Sequence, residues 1–238
     1  MLHSFAIIIF AALIHASFQL SVSVLTLLSS HAIGTKVAHT KLLRLTNGFF
    51  LGVAVMTMLL ISFISLVFQH SFGNTIPLVA WAVGCGLLLG LGIAVWAFYY
   101  RRGEGTSLWL PRGLARYLSE RAKSTKQAAE AFGLGLSSVI AELIFILAPM
   151  VISALVLIGL PPVWQLIGIL VYTMISLLSL IIVTGLIGSG HALSGIQQWR
   201  ENNKRFLQFA AGSGLLVLGF YVYVDQVVSA NAFALGGY

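Results

Sequence analysis

The sequence predicts an all-α integral membrane protein with six transmembrane helices arranged as two inverted three-helix repeats. Three observations carry this. Hydrophobic residues are 59% of the 238-residue chain, mean hydropathy is +1.00, and the apolar residues fall in blocks long enough to cross about 30 Å of hydrocarbon. Charged residues are only 8%, against roughly 25% in an ordinary soluble domain, which is too few to keep a surface in water. The basic residues are confined to alternate links between the blocks.

The blocks run at 4–29, 46–68, 77–100, 132–159, 163–188 and 206–228. Backbone groups in lipid must be bonded within the segment, so long apolar blocks are helices, and the strict alternation of a membrane β-barrel is missing. The chain therefore divides into a first half at 1–100, a basic connector at 101–131 and a second half at 132–238.

All 13 Lys and Arg residues lie in three links. Lys36, Lys41 and Arg44 follow the first span. Arg101, Arg102, Arg112, Arg116, Arg121, Lys123 and Lys126 follow the third, and Arg200, Lys204 and Arg205 follow the fifth. By the positive-inside rule these links face the cytoplasm, and both termini face out of a bacterial-type plasma membrane. The net charge of +7 is then a topology signal rather than a nucleic-acid footprint. Attraction of the basic links to anionic lipid is a secondary expectation. In the connector, Pro111 suits a first helical turn, and Leu114, Tyr117 and Leu118 recur on one face among charges, the pattern of an interfacial helix or of a solvated link. The single cysteine, Cys85, allows neither an intrachain disulfide nor a CxxC pair. The opening MLHSFAIIIF has no basic residue before its apolar run and reads as a retained first helix rather than a cleaved signal.

The repeat is read from GCGLLLGLG at 84–92 and GSGLLVLG at 212–219, an offset of 128 that lays span three over span six. Three spans per half put the two copies in opposite orientations, a common transporter plan with its site between the copies. Aligning SFQLSVSV with IAELIFIL sets Gln19 opposite Glu142 and Thr26 opposite Pro149.

Polar groups at membrane depth are costly unless partnered, so they mark candidate sites. In span one, His15, Gln19, Ser23, Thr26 and Ser30 follow steps of four, four, three and four, one face of a continuous helix. In span four, Glu142 is the one acidic residue far from either end of its block. A carboxyl group there must be protonated, paired or hydrated, which makes it a proton or cation site or else an interhelical bond. Pro149, on about the same face, is expected to kink the helix and free the Phe145 carbonyl as a ligand, and Ser138 and Ser153 extend that face. Span five offers Tyr172, Thr173, Ser176, Ser179 and Thr184, with Thr173 and Ser176 on one face. In span two, Gly48 and Gly52 form a small-residue face for close contact. A metal role is a weaker expectation for His15 and Glu142, and also for His31, His39 and His191, which lack tight ligand spacing.

The two three-helix halves, together with AFGLGLSSVIAELIFILAP at 131–149, RFLQFAAGSGLLVLGFYVYV at 205–224 and AALIHASFQLSVSV at 11–24, give a chain that resembles the LysE/CcdA-type superfamily of six-helix membrane transporters. That superfamily includes amino-acid exporters, metal-ion exporters and the membrane part of thiol electron carriers. The resemblance implies an inverted repeat with functional residues on the first helix of each half, here Gln19 to Thr26 and Glu142 to Pro149. It does not imply the thiol chemistry, since Cys85 lies in span three.

The expected function is a secondary transporter, an exporter of a cation or small cationic or zwitterionic solute. Its site would draw on Glu142, Gln19, His15, Ser23, Thr26, Ser138, Phe145, Pro149, Thr173 and Ser176. No cofactor is predicted beyond a proton or metal cation, and the expected partners are the bilayer, the solute and a second copy in a homodimer. No P-loop is present, so ATP drive within the chain is not expected. The alternatives are a non-transport subunit of a membrane complex, in which Glu142 is an intramembrane contact, and a membrane enzyme, which the lack of HExxH or a serine–histidine–aspartate set disfavours.

Overall fold

The computed structural model describes residues 1–18, 22–26, 28, 39–73, 75–99, 112–189, 198 and 202–229. Among them all regular structure is helical. We number the helices α1 (Leu2–Ser17), α2 (His39–Phe72), α3 (Leu78–Ala94, continued by a π turn at Val95–Tyr99), α4 (Arg112–Ser124), α5 (Ala128–Ile158), α6 (Pro162–Ser176), α7 (Leu178–Gly188) and α8 (Lys204–Val222, continued by a π turn at Tyr223–Val228).

Four of these are long and apolar enough to cross a membrane: α2, α3, α5 and α8 with their π turns. The α6–α7 pair makes a fifth if it is counted as one span. The chain is thus built as a multi-pass membrane protein, with its core helix covered by protein and its outer helices covered by apolar side chains. In α5 most residues are buried, and the exposed Ile140, Ile144 and Leu147 lie in one stripe. Large apolar side chains are also exposed on other helices, among them Leu51, Phe63 and Val83, as suits a surface in hydrocarbon.

Two expected spans are not single straight helices. Span one was expected at 4–29, but α1 stops at Ser17, and Phe18 is extended at φ −82° and ψ 116°. At 16 residues it is about 24 Å long, short of a full crossing. The helical face expected from His15 to Ser30 is therefore interrupted. Span five bends by 53° between α6 and α7, at Leu177. Conversely, α5 runs without a break through Pro149, so the expected proline break is absent. A proline is tolerated in a membrane helix packed on all sides, and Pro149 lies within the most buried stretch of the bundle.

At both breaks hydroxyl side chains bond back to their own turn, a contact that favours bending. Ser17 donates to the Ile14 carbonyl. Thr173 donates to Ile169 O at 2.8 Å and Ser176 to Thr173 O at 2.9 Å.

Interhelical contacts order the helices. Phe5 meets Trp164 and His15 meets Tyr172, so α1 and α6 run parallel. Gly48 abuts Ala128 and Gly52 abuts Phe132, so α2 and α5 run parallel. Gly92 meets Gly212 and Leu216 while Gly219 meets Leu88 and Leu89, so α3 and α8 run antiparallel. His3 bonds Asp225 while Ile14 meets Gly214, which sets α1 against α8. The starts of α2, α5 and α8 consequently share one end of the bundle, where Lys41, Arg44, Lys126 and Arg205 lie. The far end carries His3, His70 and Asp225.

The connector helix α4 packs on α5 through Leu118 and Ala122, both buried. Tyr117 stays exposed, with the Arg121 guanidinium 5.9 Å above its ring, and Arg116 pairs with Glu120. A short turn then leads to Glu130 in the first turn of α5, ahead of the apolar run. Its carboxylate accepts from the backbone N–H of Lys126 at 2.7 Å and of Gln127 at 3.1 Å. These bonds, more than any nearby charge, hold the Glu130 carboxyl below its ordinary value.

α2 and α5 approach each other backbone to backbone. A methyl on Gly52 would run into the Phe132 carbonyl, and one on Gly135 into the Phe49 carbonyl, while Gly86 and Gly90 have open space around them. Gly52→Ala and Gly135→Ala should each cost about 1–3 kcal/mol of stability by overpacking, and Gly90→Ala should stay within about 0.5 kcal/mol. Unfolding of the purified variants in detergent checks both. A second expectation concerns pH. A carboxyl held low in the folded state adds stability above its unfolded pKa and loses it as pH falls through the folded value. Acidification should therefore lower the melting midpoint of the wild-type chain more than that of Glu130→Gln, which keeps an acceptor without the titration.

Candidate functional site

The two breaks lie side by side. The end of α1 leaves carbonyls without intrahelical donors, and each of three finds one. Ser17 Oγ serves Ile14, the Phe18 amide serves His15 at 3.0 Å, and Ser179 Oγ, from the start of α7, serves Ala16 at 2.8 Å. The last bond joins the two breaks directly.

Between them is a small cavity lined by His15, Ala16 and Phe18 at the first break, by Ser176, Leu177 and Ser179 at the second, and by Glu142 from α5. Val22, Val53 and Leu180 close the apolar side. About 20 Å³ of it admits the centre of a water molecule, which is room for about one water. Glu142 is 2% exposed and sits near the middle of α5, far from either end of the bundle. His15 is buried with its Nδ1 3.0 Å from the Tyr172 hydroxyl, which fixes the ring from behind. Phe18, the extended residue, stacks on Phe145 with ring centroids 5.4 Å apart.

Of the residues expected at a site, His15, Glu142 and Ser176 line this cavity together. Phe145 stacks beside it. Thr173 is buried one turn before Ser176, with its hydroxyl on its own helix. Ser138 is buried one turn before Glu142 and donates to Gly135 O. Thr26 is buried and donates to Ser23 O, and Pro149 is buried two turns beyond Glu142; neither belongs to the lining. Gln19, and with it the expected Gln19–Glu142 pairing, lies outside the described residues, as do Ser30, His31 and His191. His39 is exposed at the start of α2.

Two residues that the sequence marked only as polar positions of span five organise the site. Tyr172 orients His15, and Ser179 caps α1. Tyr172, Ser176 and Ser179 follow steps of four and three, one face of a helix, and that spacing was the available signal. Among the described residues no three of His, Cys, Asp and Glu converge as a metal-binding group.

Comparison with protein-family models, with characterised proteins and with solved structures gives no match for the chain.

The His15–Tyr172 bond is buried on both sides, while the His3–Asp225 pair near the far end of α1 is partly exposed, at 46% and 33% of the two side chains. Tyr172→Phe leaves a buried ring nitrogen without its partner and should cost about 1–3 kcal/mol. Asp225→Asn should cost less than about 1 kcal/mol. Denaturant unfolding of the two variants reads the difference.

Proposed function

We propose that the chain is a secondary transporter that exports a cation or a small cationic or zwitterionic solute, with Glu142 as its proton or cation site. The observation that carries this reading is the meeting of two helix breaks at a buried carboxyl group. Irregular backbone at membrane depth is tolerated where it is enclosed by protein or lines a cavity, and broken helices at the midplane are where secondary transporters hold substrate and coupling ions.

Six spans follow if α1 with the helical residues 22–26 and 28 forms the first and α6 with α7 the fifth. The contact directions support that count, because α1, α3 and α6 run one way and α2, α5 and α8 the other. The antiparallel pairing of α3 with α8, the helices that carry the GCGLLLGLG and GSGLLVLG segments, supports two halves related by an axis in the membrane plane. The two halves differ in one respect: α5 is unbroken where its proposed counterpart α1 stops. With the basic end of the bundle in the cytoplasm, as the positive-inside rule directs, the termini lie outside. Membership of the LysE/CcdA-type superfamily is part of the same proposal and is the basis for export as the direction.

In this mechanism α1 and the α6–α7 pair move relative to α5, opening the Glu142 cavity to each side in turn. The carboxyl group alternates between a charged state when hydrated or ion-bound and a neutral or paired state when occluded. The test is flux in proteoliposomes across a panel of cations and amino acids, with and without a pH gradient. Glu142→Gln should reduce coupled flux at least about a hundredfold, equivalent to about 2.7 kcal/mol, while the variant still purifies as a folded species. Normal flux by that variant would remove Glu142 from the mechanism.

A further inference from the structure

We infer that the outward face of α4, with the start of α2 beside it, binds the phosphate headgroups of anionic lipids in the leaflet at the basic end of the bundle. The inference goes beyond the transporter reading and needs only that the chain crosses a bilayer.

The charge balance of that end comes first. All 13 Lys and Arg residues lie in the three links that lead into α2, α5 and α8, whose starts share this end. The same links hold four of the six acidic residues, Glu104, Glu120, Glu130 and Glu201. Thirteen cations set against four carboxylates leave an excess of nine, and no pairing within the links can cancel it. The counter-charge has to come from outside the chain, and attraction to an anionic membrane surface grows with each Lys or Arg held near it.

The structure shows which face is available. α4 packs on α5 with Leu118 and Ala122 buried, so its apolar side is spent on protein. Arg116, Tyr117, Glu120, Arg121, Lys123 and Ser124 are left exposed. Glu120, the one carboxylate among them, accepts from Arg116 at 2.9 Å. Glu130, whose charge is felt by Arg121 and Lys126, is held by two backbone amides. Tyr117 and Arg121 suit an interface as a pair. The ring is an amphipathic anchor at headgroup level, and the guanidinium 5.9 Å from its centroid offers a planar fork that matches phosphate oxygens.

A second group of cations reaches the same corner. Gly48 of α2 abuts Ala128 at the start of α5, so Lys41 and Arg44, within two turns before Gly48, flank Lys126, two residues before Ala128. All three are exposed. Trp96, stacked on Phe209 with ring centroids 5.6 Å apart, adds an aromatic marker of the interface at this end. Nucleic acid is the other polyanion that so basic a surface could take. Lys41, Arg44 and Lys126 lie within two turns of the apolar runs of α2 and α5, at the depth where lipid phosphates are the nearest anions.

The experiment uses the full-length chain with Cys85→Ser, reconstituted into vesicles of phosphatidylcholine and phosphatidylglycerol with the same mixture in both leaflets. One fluorophore is attached through Ser124→Cys on the exposed side of α4. In a control it is attached through Val79→Cys, exposed at the far end of α3. Quenching by brominated phosphatidylglycerol is compared with quenching by brominated phosphatidylcholine. At position 124 the anionic lipid should be preferred at least about fivefold, roughly the effect of one basic side chain near a charged surface. At position 79 the preference should stay under about twofold, since no Lys or Arg lies in the links at that end. The preference at 124 should shrink as salt rises, and Arg44→Gln with Lys123→Gln should lower it at least about threefold without moving the melting midpoint. Equal quenching by the two lipids at position 124 overturns the inference. So does a preference at 79 as large as that at 124, or an unchanged preference in the folded double variant. Tight binding of a short RNA duplex to the chain in pure phosphatidylcholine, with no lipid preference at 124, assigns the face to nucleic acid and overturns it as well.

Discussion

A carboxyl group placed deep among lipid tails has to be given partners or water, and the architecture around Glu142 is organised by that requirement. It is met by burying α5 at the centre of the bundle rather than at its surface. The lipid-facing stripe of α5 is Ile140, Ile144 and Leu147, while Glu142 turns inward toward α1 and the α6–α7 bend. The close approach of α2 to α5, enforced by Gly52 and Gly135, seals another side. Packing without side chains between two backbones is a general means of holding membrane helices together, because burial of apolar surface gives little driving force inside lipid.

The second consequence is the way the polar backbone at the breaks is satisfied. Each exposed carbonyl in hydrocarbon costs several kcal/mol. The end of α1 avoids this through a local serine, its next amide and a serine borrowed from α7. The bend between α6 and α7 keeps its ladder nearly intact, since the Leu177 amide still reaches Thr173 O and the Ile181 amide reaches Leu177 O. The two irregularities are thus of different kinds. One is a true helix end stitched to its neighbour, and the other is a sharp bend with its hydrogen bonds preserved. A bend of that kind can change angle without exposing backbone, whereas the α1 end moves only if the Ser179 bond is remade.

Much of this was legible in the residues. The helix positions follow from long apolar blocks, and α2, α3, α5 and α8 cover the expected blocks, with α2 running well past the expected end at each side. Glu142, His15 and Ser176 were identified because polar side chains at membrane depth need a reason. The breaks were misplaced because proline is the familiar helix breaker, yet Pro149 loses only one hydrogen bond and is packed on all sides. Ser17, Thr173 and Ser176 sit at the breaks with their hydroxyls turned back on the carbonyl three or four residues earlier, and a single sequence does not distinguish that from a hydroxyl bonding a neighbouring helix. For the same reason the role of Ser179 depends on where α1 ends, which is a tertiary fact.

The central claim is that the end of α1 and the start of α7 meet beside Glu142. Cysteine cross-linking in native membranes tests it most directly. With Cys85→Ser as background, the pair Ala16→Cys and Ser179→Cys should form a disulfide under mild oxidation, as should the control pair His3→Cys and Asp225→Cys near the far end of α1. Efficient linking of the control with none at positions 16 and 179 would mean that the breaks are apart, and the account of the site would be contradicted.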